Sequence, residues 1–253
     1  MNPLEIVLVG GLSLLVLLEL RDVGFRRGLS AGGDRLRRNL AFLGATVVVM
    51  GCVRGVDALI REHAVPVVQW NGHLVLQLIV CFLLAELVGW LLHWVKHVNG
   101  YLWRFHFQHH REEQFDIWLT SHTHGLEVVI SGALIAVLLG LAGFAPIVTE
   151  TYLVVYSLVK TFQHSANLYS LGPLDWIVVG PAYHRIHHEV GSRWNYAVTI
   201  TLYDVLFRTA RWPARRGAEP LKPVGVAPGD PLPFGFWREM TFFLKRGGTH
   251  REP

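Results

Sequence analysis

Charged residues are scarce in this chain. Asp, Glu, Lys and Arg make up 17% of its 253 residues and 51% are hydrophobic, whereas an average soluble domain is about 25% charged. The deficit argues against an ordinary soluble surface and for a membrane protein. Cysteine is nearly absent: Cys52 and Cys81 both lie in apolar runs. That excludes a disulfide framework and a thiolate metal site, and two buried thiols are expected. The net charge of +4 does not imply nucleic acid, because the basic residues fall between apolar segments and form no soluble face with aromatics. There is no internal repeat and no low-complexity tract. No H-E-x-x-H occurs, against a zinc protease, and the Glu and Glu-x-x-His set of soluble carboxylate di-iron bundles is missing. No basic residue precedes the first apolar run and no small-residue cleavage site ends it, which argues against a signal peptide.

Long apolar runs are plentiful. A bilayer crossing needs about 20 apolar residues, and residues 4–20, 39–53, 74–95 and 126–148 qualify as spans. Residues 151–162 are short for a fifth and can pair with the fourth as a hairpin. The reading is an all-α integral membrane bundle of four to five transmembrane helices with a cytoplasmic helical cap. Its parts are an N-terminal hairpin and outer loop (1–72), a membrane-embedded core (73–211) and a cytoplasmic tail (212–253), with a short amphipathic helix expected at 236–246. Arg21, Arg26, Arg27, Arg35, Arg37 and Arg38 fill the first loop. The positive-inside rule makes that loop cytoplasmic, in an inner or plasma membrane. Alternation then puts residues 54–72 and 142–150 outside, and residues 96–125 and the chain after 162 on the cytoplasmic side.

Histidine is abundant: fourteen are present, eleven of them between positions 93 and 188. His93 and His97 are four apart, so a helix stacks both rings on one face. His106, His109 and His110 repeat that logic, as do His184, His187 and His188, where Pro181 suits a helix start. His124 lies three residues before Glu127, and His164 ends the fifth apolar segment. All fall at cytoplasmic ends or in cytoplasmic segments and can converge in one layer beneath the membrane. His63, His73, His122 and His250 have no such partner pattern and read as ordinary side chains. Neutral imidazole is the commonest metal ligand. Roughly eight to ten nitrogen ligands exceed the four to six positions of one ion, so two metals are indicated.

Around these residues the sequence resembles the fatty acid hydroxylase/sterol desaturase superfamily of membrane di-iron enzymes. "ELVGWLLHWVKH" (86–97) is similar to that family's acidic residue and H-x-x-x-H. "LWRFHFQHH" (102–110) resembles its second box, "HGLE" (124–127) its H-P-x-E, and "FQHSAN" (162–167) its Q-H-x-N. "LGPLDW" (171–176) is similar to the linker, "HRIHH" (184–188) to the last box, and "WNYAVTITLYDVLFRTA" (194–210) to the N-Y-G … W-D-x-x-F-G-T ending. Departures are Ala197 for Gly, Tyr203 for Trp, Arg208 for Gly, His122 for Arg and Gly125 for Pro.

The resemblance implies a pair of iron ions held by His93, His97, His106, His109, His110, His124, His164, His184, His187 and His188. It implies O2 as co-substrate and hydroxylation or desaturation of an unactivated C–H bond in a lipid or other lipophile. Electrons would come from a separate donor protein, because no haem or flavin domain is visible. An intramembrane carboxylate is functional by default, so Glu86 is expected beside a ligating imidazole, with Glu127 and Asp204 as further candidates. Asn167 and Asn195 could orient imidazoles; Trp90, Trp94, Trp103 and Phe105 read as packing and interfacial anchors. The alternative is a histidine-rich membrane protein that binds or transports metal without oxygenase activity. A haem cytochrome leaves the tight histidine boxes unexplained.

Overall fold

The computed structural model describes residues 2–22, 25–26, 34–63, 65–214, 220–226, 235–241 and 244; His250 and part of the expected 236–246 helix lie outside them. Among the described residues every regular element is helical, and the isolated bridges are Val178 with Ile200 and Glu189 with Val224. The α-helices are α1 (Pro3–Glu19), α2 (Asp34–His63), α3 (Leu74–Val98), α4 (Gly100–His110), α5 (Gly125–Leu141), α6 (Pro146–Phe162), α7 (Pro181–His187), α8 (Leu202–Leu206) and α9 (Phe236–Met240), and short 3-10 helices occupy Ile117–Thr120 and Gly172–Trp176.

Two of them, α2 and α3, are long and apolar enough to cross a membrane, and α5 is shorter and apolar. Their outward faces carry bare apolar side chains such as Val47, Val48, Val75 and Ile130, a surface that water does not favour. Cys52 lies on such a face and is exposed, contrary to the expectation of two buried thiols; Cys81 is fully buried.

The 126–148 run is not one helix. It breaks between α5 and α6 at Gly143, whose φ of +73° is a conformation L side chains avoid. A Cβ there would sit 2.4 Å from the Val68 carbonyl. The break separates α5 from α6, with Pro146 opening the second helix, and the two pack on α3 more than on each other. α2 packs along α5, and α1 along α6. The core between them is Cys81, Ala85, Leu139, Phe144, Val148 and Tyr152.

Beyond this bundle, at the His93–His97 end of α3, lie α4, α7 and the loops around them. Asn99 caps α4 by accepting the amides of Tyr101 and Leu102. Buried ion pairs tie this layer to the start of α2: Arg35 to Asp116 (2.6 Å), Arg38 to Glu112 (2.7 Å), and Glu239 of α9 to both Arg111 (2.9 Å) and Arg38 (3.3 Å).

A candidate metal centre

Three short helical stretches bring the histidines together. On α3 the four-residue spacing puts His93 and His97 on one face, as expected. α4 contributes His106, His109 and His110. α7 begins at Pro181, carries His184 and His187, and ends at His188. His164 follows the end of α6. Two groups of imidazoles result: His93, His97, His106, His110 and His187 in one, and His109, His164, His184 and His188 in the other. Sequence neighbours divide between them, so His109 and His110 serve different groups, and so do His187 and His188. Across the division, the rings of His110 and His188 stack with centroids 4.4 Å apart.

The proton positions show what these rings can do. His106 Nδ1 lies 2.9 Å from the Glu127 carboxylate. His93 Nδ1 meets the Tyr196 carbonyl (2.8 Å), His109 Nδ1 that of Leu119 (3.1 Å), His164 Nδ1 that of Lys160 (2.7 Å), and His187 Nδ1 that of Trp194 (2.9 Å). These oxygens only accept, so each Nδ1 carries the hydrogen and each Nε2 presents a lone pair.

The Nε2 atoms face one another. The His110–His106 and His187–His110 separations are 3.2 and 3.1 Å. In the other group His164–His109, His184–His164 and His188–His184 are 3.3, 3.1 and 3.2 Å. His93 Nε2 is buried with no hydrogen-bond partner. Lone pairs packed this way repel unless a cation lies between them. Two nitrogens bound at about 2.1 Å to one ion, at octahedral to tetrahedral angles, stand roughly 3.0–3.4 Å apart. The observed spacings match, and the residues fit metal ions.

Burial, reinforced by neighbouring imidazoles, pushes the pKa of His109, His110, His184 and His188 well below the ordinary 6.5. Burial also lowers that of His106 against the pull of Glu127, and brings His164 and His187 down to about 3. The rings are neutral at pH 7, which is the ligating form.

Other expected site residues fall elsewhere. His124 joins neither group. It caps α5, its Nδ1 accepting the Leu126 amide at 3.1 Å while Nε2 donates to the Met240 carbonyl at 2.9 Å. Both nitrogens are engaged in these bonds, away from the two groups. Glu127 does sit beside a ligand-set imidazole, and its Oε1 also accepts from Lys96 Nζ at 2.7 Å. Glu86 touches no imidazole. It lies seven residues before His93, about 10 Å along the helix, and accepts from Thr199 N (2.8 Å), Ile200 N (3.2 Å) and Tyr152 Oη (3.3 Å).

Asp204 also meets no imidazole. It accepts from Trp90, Tyr183, Thr209 and the amides of Tyr196 and Ala197. It thereby fixes Tyr196, whose carbonyl holds His93. Asn167 donates to Leu18 and Glu19, and Asn195 to the Tyr183 and Arg211 carbonyls; neither orients a ring directly. His122 is buried against Phe42, 4.4 Å between centroids. Trp103 packs on His97 and His110, and Phe105 on His124.

Two contributors carry no sequence signal that spacing could reveal. One is Lys96, which neutralises Glu127. The other is Glu19, the buried last residue of α1. It accepts from Ser165 Oγ, from the Ala166 amide (3.1 Å) and from Asn167 Nδ2 (3.3 Å), next to His164.

The chain is 26% identical over 163 residues to the ornithine lipid hydroxylase OlsE of Rhizobium tropici, covering 60% of this chain and 49% of that protein. It is 24% identical over 161 residues to the alkylglycerol monooxygenase of Xenopus tropicalis (58% of this chain, 35% of that protein). With the human alkylglycerol monooxygenase it shares 26% over 133 residues (51% and 29%). It thus spans half or less of the length of these relatives. No solved structure matches it. The model of the family described as fatty acid hydroxylase matches residues 78–209, the stretch that holds all nine clustered histidines, and the chain belongs to that family.

Proposed function

We propose that this chain is a membrane-bound di-iron hydroxylase that inserts one oxygen atom from O2 into an unactivated C–H bond of a lipid. The second oxygen leaves as water, with two electrons from a separate donor protein and two protons completing the balance. The observation that carries this reading is the convergence of nine neutral imidazoles in two adjoining groups. Their number suits a pair of metal ions, the fatty acid hydroxylase family points to iron, and the named relatives act on lipids. Iron with O2 supplies C–H oxidation that side-chain acid–base chemistry cannot.

The residues have separable tasks. His93, His97, His106, His110 and His187 hold one ion; His109, His164, His184 and His188 hold the other. Glu127 accepts the His106 Nδ1 hydrogen, which fixes that ring and strengthens its donor nitrogen, while Lys96 balances the carboxylate charge. Backbone carbonyls do the same for His93, His109, His164 and His187. In the proposed topology α1, α2, α3, α5 and α6 lie in the bilayer, and the histidine layer faces the cytoplasm. In support, the basic residues Arg35 and Arg38 sit on the same side as that layer. The substrate then keeps its head in water and offers an alkyl chain from the lipid phase. Metal transport finds no support, because a transport path needs polar side chains through the depth of several spans.

The test is metal analysis of protein purified in nanodiscs, followed by incubation with extracted membrane lipids, O2 and a reductant. Two irons per chain and an O2-dependent gain of one oxygen atom in a lipid are expected. Stoichiometric zinc, with no O2 consumed on any lipid, rejects the proposal.

A further inference from the structure

Glu86 and Asp204 answer one question together. Each is almost fully buried, and each accepts backbone amides from the same non-helical stretch: Tyr196 and Ala197 on Asp204, Thr199 and Ile200 on Glu86. Backbone polar groups that reach water do not need buried carboxylates. Within a bilayer, non-helical backbone survives only where protein groups satisfy it.

Further hydrogen bonds join the stretch to residues 176–179. Val179 N donates to the Thr199 carbonyl (2.9 Å) and Thr201 N to that of Ile177 (2.9 Å), while Thr201 Oγ1 donates to that of Trp176 (2.7 Å). Segments 171–178 and 197–207 therefore form one unit. That unit lies against the middle of α3. Tyr203 Oη donates to the Leu83 carbonyl at 2.7 Å, the Trp90 and Phe207 rings stack at 4.4 Å, and Gly89 admits Val198 so closely that a Cβ would lie 2.8 Å from it. At about 1.5 Å per residue, Leu83 is roughly 14 Å from the Leu74 end of α3 and about 22 Å from the Val98 end.

The outer side of the unit is apolar. Leu174, Trp176, Ile177, Val205, Leu206 and Phe207 are each at least half exposed, and this patch continues directly into the exposed face of α3 at Leu83 and Leu91.

We infer that segments 171–178 and 197–207 form a re-entrant element immersed in the acyl region of the bilayer beside α3, with these six side chains in contact with lipid. The inference rests on α3 being a span, as proposed above. It gives Glu86 a role as the acceptor that lets extended backbone enter hydrocarbon. It also joins the lipid phase to the candidate metal centre, since segment 197–207 follows directly on Tyr196, whose carbonyl holds His93.

Spin labels placed on single cysteines in a Cys52→Ser, Cys81→Ala background test it, with the protein reconstituted in phosphatidylcholine liposomes. Labels at Trp176→Cys and Leu206→Cys are compared with Ile79→Cys on α3 and Leu221→Cys as a reference for water. Collisions with O2 are expected to exceed those with a water-soluble nickel chelate at 176 and 206, as at 79. Chelate access at 176 and 206 with lipid character at 79 overturns the inference and leaves the span intact; chelate access at 79 as well overturns both. Exclusion of both reagents from 176 and 206 means that protein, for instance a second copy, covers the patch, and also overturns it. On the unaltered chain, a carbene-generating lipid should label peptides containing Trp176 and Leu206. Absence of adducts there, with adducts on α3, is the same refutation without any substitution.

Discussion

His110 Nε2 lies 3.2 Å from one imidazole nitrogen and 3.1 Å from another, so a single ring closes one group of ligands. Replacing it with Ala should lower bound metal by at least one equivalent per chain and abolish lipid oxidation, with helix content unchanged. Mass-spectrometric metal analysis beside circular dichroism checks this, and full metal content in the variant rejects the assignment. Arg208 presents a different single-residue effect. Its φ is +60°, where an L side chain is strained by roughly 1–2 kcal/mol, and the resembling family has Gly there. Arg208→Gly should raise stability by up to about 1 kcal/mol, because glycine's greater freedom when unfolded offsets part of the relief. A thermal melt that falls instead would assign the guanidinium a contact worth more than the strain.

Among the elements, α1 lies outside the matched region yet approaches the candidate metal centre through Glu19, which holds the residues that follow His164. Glu19→Ala leaves Ser165 Oγ and the Ala166 amide without their buried acceptor, at about 1–3 kcal/mol for each group. The expected result is a lower melting temperature and weaker iron retention, both largely restored by Glu19→Gln, which keeps an acceptor oxygen. Unchanged iron retention in the Ala variant would separate α1 from the site. Elements also mark what the sequence reveals. Imidazoles at i, i+3 and i+4 share a helix face by local geometry alone, so His93 with His97 and the two H-x-x-H-H boxes were legible. Glu127 was legible from its place after a histidine at a helix start. The same reasoning failed for His124, because capping depends on the backbone angle at which α5 begins, and spacing does not encode it. It failed for Glu86 because the partners of that carboxylate are amides from a stretch more than a hundred positions away. The turn at Gly143 falls in the 142–150 segment that alternation puts outside, but the residue at which it turns was not legible, since hydropathy does not record the close approach of Val68.

For the molecule as a whole, acid sets a limit on stability. His122 is buried outside the metal groups, and burial, aided by Arg38, lowers its pKa from 6.5 to about 3. The folded chain therefore refuses a proton that the unfolded chain accepts once pH drops below about 6.5. Stability present at neutral pH is lost as pH falls through that window, at about 1.4 kcal/mol per pH unit for one site. His122→Gln should be less acid-sensitive than the parent by about 2 kcal/mol between pH 6.5 and 5, read from denaturant melts at both pH values. Equal acid sensitivity would place the lost protons elsewhere. The alternation of adjacent histidines between the two groups has a consequence for metal entry under the proposed two-iron reading. α4 and α7 each supply rings to both groups, so an ion held by one group would also steady the helices that carry the other. Titration of the apoprotein with ferrous iron should then be sigmoidal, passing from empty to doubly filled with little singly loaded protein between.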